Sequence, residues 1–308
     1  MNSSTRLASL GLVFRRLFDR QYRKNVIEFL SKKILHDQDP IYLDYPISVR
    51  SRYGWNLPPH SELYELIDSN RHCYIDIIDK LSKFTSYLKK IPVENPNDLT
   101  APFWRNGYLG GLNAVALSCF PVIHGSRLYI EIGSGNSTKF IRKSVSYHEL
   151  KTRLISIDPE PRAEIDALCN ETIRMPLEEV DLSLFDQLES GDVLFVDGSH
   201  RCFQNSDVTV VFLEILPRLK SGVVIYIDDV YLPWDYPPEW SERYYSEQYL
   251  LAVMLLADRG RRYEVLLPHV FVEHDPELNE RMQAVWRGIG VAGGGGNGMW
   301  LRVRAPRT

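Results

Sequence analysis

Only four cysteines occur in 308 residues, and Cys73, Cys119, Cys169 and Cys202 stand far apart with no C-x-x-C pair. That scatter excludes a disulfide-stapled framework and a zinc-ribbon spacing; reduced thiols in a cytoplasmic protein are the expectation. No apolar run is long enough to span a bilayer, and the first residues lack an apolar stretch ending in a small-residue cleavage site, so no signal peptide is expected. No charge of one sign dominates either. A net charge of −4 gives no basis for general nucleic-acid binding. The chain also lacks a phosphate-cradling P-loop. With 44% hydrophobic and 25% charged residues, what remains is an ordinary soluble composition, enough for one large α/β domain and an extension.

The first 35 residues are basic with a helical period: Leu10, Phe14, Leu17 and Phe18 share a face beside Arg15, Arg16, Arg20, Arg23 and Lys24. A surface helix docked on its own domain or on a second subunit is the favoured reading, and a second copy of the chain the expected partner; association with an anionic membrane surface is the alternative. Prolines break residues 36–60. A helical period returns from Ser61 to Lys90, Ile91 to Pro102 reads as a loop, and Tyr108 to Phe120 reads as a helix. Residues 1–125 are thus expected to form a mostly helical extension, and 126–308 the main domain. In that domain strand candidates (Leu128–Ile132, Arg153–Ile157, Thr172–Met175, Val193–Val196, Val223–Ile227, Tyr263–Leu267, Met299–Val303) alternate with helix candidates (Ser137–Ser146, Pro161–Cys169, Leu177–Leu188, Asn205–Leu219, Tyr244–Asp258). The alternation predicts a doubly wound, mostly parallel seven-stranded sheet covered on both faces. The last strand follows Gly293–Gly296 and predicts an antiparallel hairpin.

The most informative segment is Leu128-Tyr-Ile-Glu131-Ile-Gly133-Ser134-Gly135-Asn-Ser137-Thr-Lys139. It reads as a strand, a tight glycine turn and a helix start, leaving bare N–H groups and a positive helix end toward a ligand. A third glycine of the dinucleotide fingerprint is missing: Thr138 stands there. Glu131 lies inside an apolar strand, where a carboxylate is costly unless paired or hydrogen-bonded. It is read either as positioning the cationic part of a cofactor or as paired with an arginine. S-adenosylmethionine, with a sulfonium and an ammonium, suits an acid there better than a pyrophosphate does. Asp158 ends the next strand, suited to ribose hydroxyls or to capping a helix before Pro161.

Two acidic turns follow later strands: Asp197-Gly-Ser-His200 after Val193–Val196, and Asp228-Asp229 after Val223–Ile227. Parallel strands should bring these carboxylates to one edge, where Asp197, Asp228 and Asp229 would suit a hard cation such as magnesium. His200 is a candidate base or further ligand. The proline-rich aromatic stretch from Tyr231 to Tyr245 suits either a substrate wall or a packed loop or dimer contact.

With Glu131-Ile-Gly133-Ser-Gly135, Asp158, Asp197-Gly-Ser-His200 and Asp228-Asp229, the chain resembles class I S-adenosylmethionine-dependent methyltransferases over Arg127 to Arg304. More narrowly, it resembles the metal-dependent O-methyltransferases of macrolide sugars. The resemblance implies a Rossmann-like fold and a cofactor held by Glu131, Gly133, Ser134, Gly135, Ser137, Asp158 and Asp197. It implies magnesium on Asp197, Asp228 and Asp229, and His200 with Asp197 as the catalytic pair. The acceptor it implies is a small molecule, a hydroxyl of a sugar or glycosylated natural product. The metal-independent enzyme on another small molecule and the non-catalytic binding protein are the alternatives. The helical extension has no counterpart in the resemblance.

Overall fold

A computed structural model describes residues 27, 47–94 and 97–305. The amphipathic reading of residues 1–35 lies, apart from residue 27, outside the described residues. The chain divides into two compact units, Met1–Val49 and Arg50–Thr308. The sheet and its helices all belong to the second unit, and the boundary read at residue 125 falls inside it.

Helices α1 (Ser61–Asp68), α2 (Arg71–Ser82), α3 (Thr85–Leu88) and α4 (Gly111–His124) precede the sheet. In α4 every residue from Leu112 to Pro121 is buried, as a helix apolar on all sides requires. Phe120 of α4 stacks on Trp300 with centroids 4.0 Å apart. The sheet comprises β1 (Leu128–Ile132), β2 (Arg153–Ile157), β3 (Glu171–Ile173), β4 (Val193–Val196), β5 (Val224–Ile227), β6 (Tyr263–Pro268) and β7 (Met299–Val303). Its order is β3-β2-β1-β4-β5-β7-β6, with β7 antiparallel to both neighbours and the rest parallel. β1, β4 and β5 are buried along their whole length, so their apolar runs carry no alternation.

α5 (Asn136–Tyr147), α6 (Asp207–Val210), α7 (Glu247–Asp258), α8 (His269–His274) and α9 (Pro276–Ile289) complete the unit. Three helix expectations need correction. Pro161–Cys169 is a loop with one short turn at Asp166–Leu168, because prolines at 159 and 161 crowd its start and only Ile165 offers a fully buried anchor. Leu177–Leu188 is two short turns broken at Val180, where Asp181 starts a new turn by accepting from Ser183 N. Asn205–Leu219 begins as α6, widens to a π turn at Val211–Ile215 and tightens at Leu216–Arg218 around Pro217. The expected hairpin before the last strand is absent, although the antiparallel direction is there: α8 and α9 intervene. The signal for α9 was in the sequence, since Asp275 accepts from Leu278 N as N-cap and Pro276 takes the first helical position.

Candidate active site

The register places the chemistry. Ile132 pairs with Ile157 and Val196, and Val196 with Ile227. Gly133, Asp158, Asp197 and Asp228 are each the next residue, so they stand at one level on the carboxyl edge. Backbone bonds continue one step past the strands and hold them there: Gly133 N to Ile157 O (3.0 Å), Asp197 N to Ile132 O (2.9 Å) and Asp228 N to Val196 O (2.9 Å). Strand order reverses between β1 and β4, where open α/β sheets leave their crevice.

Two cavities open at this edge. One of about 540 Å³ is lined by Gly133, Ser134, Asp158, Leu177, Gly198 and Asp207. The other, of about 460 Å³, is lined by Gly135, Ser137, His200, Asp228, Asp229 and Asn297. Ser134, Arg162 and Asp197 border both.

Glycine is required at two points on this rim. Gly133 has φ +78°, and a Cβ there would lie 1.8 Å from the Asp197 carbonyl oxygen. A Cβ at Gly198 would lie 2.1 Å from Asp207 Oδ2, the carboxylate that accepts from Ser199 N (2.6 Å) and Ser199 Oγ (2.5 Å). Asp158 accepts from Ser134 N (2.8 Å), Ser134 Oγ (3.1 Å) and Glu160 N (2.9 Å), tying the end of β2 to the glycine turn. No helix starts at Pro161 for it to cap.

Glu131 stands below the rim. It is 1% exposed, and no arginine among the described residues pairs with it. Thr138 Oγ1 donates to one oxygen, and Ser137 Oγ (3.2 Å) and Tyr129 OH (3.4 Å) donate to the other. It borders neither cavity, so its contact is with the hydroxyls of the helix start that faces them. Burial lifts its carboxyl to about 8 from an ordinary 4.5, against those three hydrogen bonds. A folded-state pKa raised this way contributes stability that is fully present below about 4.5 and lost as pH rises through about 8. Glu131→Gln is therefore expected to come close to the wild type near pH 5. Near pH 9 it should exceed it by on the order of 5 kcal/mol, since the rise from 4.5 to about 8 counts about 1.4 kcal/mol for each tenfold difference in proton affinity. Urea titrations at the two pH values check this; equal stabilities at high pH would contradict it.

His200 is the centre of the second cavity. It sits at φ +60°, as Asp229 does at +52°. Two non-glycine residues in the left-handed region, each costing about 1–3 kcal/mol, meet at one site. His200 Nδ1 lies 2.9 Å from Glu247 Oε2, and Nε2 lies 3.2 Å from Asp197 Oδ1 and 3.5 Å from Asp229 Oδ2. Its carbonyl accepts from Ser246 N (2.8 Å) and Glu247 N (3.2 Å), which docks the turn on the start of α7. Burial alone would lower the imidazole pKa, but Asp197, Glu247 and Asp229 together raise it well above its ordinary value. Glu247, 1% exposed, is a site residue the sequence reading missed. It is an acid in the first turn of a helix, 47 positions from its partner, and nothing local marks it.

The acidic pair is held by a tyrosine of β5 and by two asparagines from outside the strands. Asp228 Oδ1 accepts from Tyr226 OH (2.5 Å) and Asn113 Nδ2 (3.0 Å), and Asp229 Oδ1 from Asn297 Nδ2 (2.5 Å). The Asn113 amide is fully used, because its Nδ2 also donates to Asn297 Oδ1 and its Oδ1 meets Asn297 N and His269 Nδ1. Burial, with Asp197 and Asp229 adding like charge, pushes Asp228 well above the carboxylate range. Burial lifts Asp229 to about 6, with His200 opposing and Asp197 assisting. The three expected metal ligands thus line one cavity. Among the described residues, however, no group of three or more His, Cys, Asp or Glu side chains is arranged to hold a metal ion; Asp228 spends one oxygen on Tyr226 and Asn113, and a cation set needs free donors.

The aromatic stretch is both packed loop and wall. Asp235 accepts from Arg52 N (2.5 Å), Tyr53 N (3.3 Å) and Tyr249 OH (2.8 Å), binding the loop to residues 52–53. Trp240, Arg243 and Tyr245 reach the cavity of His200.

Residues 130–230 match the family model described as a methyltransferase domain. No curated protein matches the chain. Similar solved structures include the O-methyltransferase TomG from Streptomyces achromogenes, involved in tomaymycin synthesis, in complex with SAM. It is 16% identical over 72% of this chain and 96% of that one, with a TM-score of 0.36. Another is the SAH-bound methyltransferase PaMTH1 from Podospora anserina, 16% identical over 82% and 100% with a TM-score of 0.37. At these values both likenesses are distant. The family match runs from β1 through the glycine turn and both aspartate turns, so the residues that match a methyltransferase domain are those the sheet gathers at its carboxyl edge.

Proposed function

We propose that the chain transfers the methyl group of S-adenosylmethionine to a hydroxyl of a small molecule, with His200 as the base. The observation that carries this reading is the setting of His200, fixed at Nδ1 by buried Glu247 while Nε2 meets Asp197 and Asp229 in a cavity bordering the glycine turn. The residues suit the cofactor. Asp158 and Asp197 are acids at the two cavities, and Gly135, Asn136 and Ser137 present a helix start to the second. When bound, the cofactor supplies an already electrophilic methyl. The protein's own work is alignment and proton removal. Asp158 would meet ribose hydroxyls in the larger cavity, Asp197 would favour positive charge at the shared border, and His200, in its neutral form, would accept the hydroxyl proton. Its carboxylate neighbours stabilise the imidazolium that results.

The acceptor belongs in the 460 Å³ cavity. Trp240, Tyr245 and Tyr108 offer flat faces there, which suit a sugar ring or a glycosylated natural product. A second reading adds a divalent cation on Asp197, Asp228 and Asp229. The observation favouring it is that these like charges share one cavity, Asp197 raising the pKa of both Asp228 and Asp229, and Asp229 that of Asp228. Its donors are partly spent, since Asp228 and Asp229 each commit one oxygen to neighbouring side chains.

Isothermal titration with S-adenosylhomocysteine tests the cofactor, with micromolar binding expected. Its absence would remove the proposed function. EDTA then separates the two readings: metal-free turnover is expected to persist if His200 and Glu247 suffice, and its loss with recovery on adding magnesium would establish the cation.

A further inference from the structure

Two arginines, Arg162 and Arg243, border the cavity of His200 without a polar partner among the described residues. Arg243 lays its guanidinium over Trp240, 3.9 Å from the ring centroid, and lies 5.6 Å from that of Tyr245. Arg162 lies 5.9 Å from the ring of Tyr108. Among the described residues neither side chain makes a hydrogen bond or an ion pair. The neighbouring Arg201 shows the ordinary alternative: it too lies over Tyr245, at 5.1 Å, but its donors go to the carbonyls of Arg243 and Ser199, both at 3.0 Å. Stacking on Trp240 fixes the plane of the Arg243 fork and leaves its N–H edge free. The cavity therefore carries both signs of charge: Asp197, Asp228 and Asp229 line it together with Arg162 and Arg243, and the Arg243 charge reaches Asp229.

Resting on the reading that a hydroxylated acceptor enters this cavity, we propose that the acceptor carries an anionic oxyacid group, a carboxylate or a phosphate ester, bound by Arg243 against the Trp240 ring, with Arg162 adding a second positive charge. A planar fork suits two oxygens of either group. The acids around His200 repel such a group, so its capture by Arg243 orients the acceptor with its neutral hydroxyl toward His200. A charge-assisted pair at this site sets direction as well as affinity.

The test uses the full chain saturated with S-adenosylhomocysteine and three matched probes: glucose, glucuronate and glucose 6-phosphate. Binding is followed by titration calorimetry or ligand-observed NMR. Either anionic probe is expected to bind at least about tenfold tighter than glucose. Arg243→Gln should abolish that preference, and Arg243→Lys restore part of it, while affinity for S-adenosylhomocysteine stays unchanged in both. Which anion is preferred tells carboxylate from phosphate. Equal binding of the three, no binding of any, or a preference surviving Arg243→Gln would overturn the anionic subsite. Loss of S-adenosylhomocysteine binding by the wild type would instead overturn the proposed function, so the two failures are distinct.

Discussion

His200→Asn is expected to lower kcat by roughly 10²–10⁴-fold, the usual contribution of a positioned base, with affinity for S-adenosylhomocysteine unchanged. Asparagine keeps an N–H near Glu247, which matters because that carboxylate is buried and has His200 as its partner. Alanine would leave an unpaired buried charge, costing about 3–5 kcal/mol, and would confuse a folding defect with a chemical one. Glu247→Gln supplies the comparison. It retains a hydrogen-bond partner for Nδ1 but removes the charge that favours the imidazolium, so a smaller loss in kcat is expected. Initial rates and calorimetry on the three proteins decide the matter. A His200→Asn enzyme within tenfold of the wild type would show that the proton leaves by another route.

Gly133→Ala should abolish cofactor binding. The φ of +78° costs an alanine about 1–2 kcal/mol. The larger effect is steric, because the new Cβ would fall 1.8 Å from the Asp197 carbonyl oxygen. That atom is backbone, held by the β1–β4 ladder, and it can yield only if the glycine turn and the Asp197 turn move apart. The sum is expected to exceed about 4 kcal/mol, in the range of severe single changes. Gly260→Ala is the control. Its φ is +70° and its surroundings are open, so it should carry the conformational cost alone and bind S-adenosylhomocysteine normally. Denaturant unfolding and calorimetry on both variants check this. Near-normal binding by Gly133→Ala would mean that the two turns need not touch.

Both predictions depend on neighbours that sequence spacing only partly reveals. The edge itself was legible. Parallel strands run in one direction, so Gly133, Asp158, Asp197 and Asp228, each one residue past a strand, had to arrive at a common rim. A continuous apolar run marked α4, which is buried on every side, and periodicity marked α5, whose buried face repeats. It failed at 161–169 and 177–188, where prolines and uneven apolar spacing leave too little for a helix to bury. It also missed α8 and α9, although Asp275-Pro276 carried a start signal.

By itself, then, the order of apolar runs and turns determined a doubly wound sheet and the residues on its carboxyl rim, because strand direction and side-chain period are local properties of the chain. What each acid does there was decided only in three dimensions. Glu131 accepts from the hydroxyls of Tyr129, Ser137 and Thr138, Glu247 comes from α7 to fix His200, Asn113 and Asn297 occupy oxygens of the Asp228–Asp229 pair, and the Arg243 side chain has no hydrogen-bond or ion-pair partner among the described residues. Charge and hydrogen bonding act over a few ångströms of space whatever the distance along the chain, and spatial neighbours across 47 or 115 positions leave no trace in local sequence.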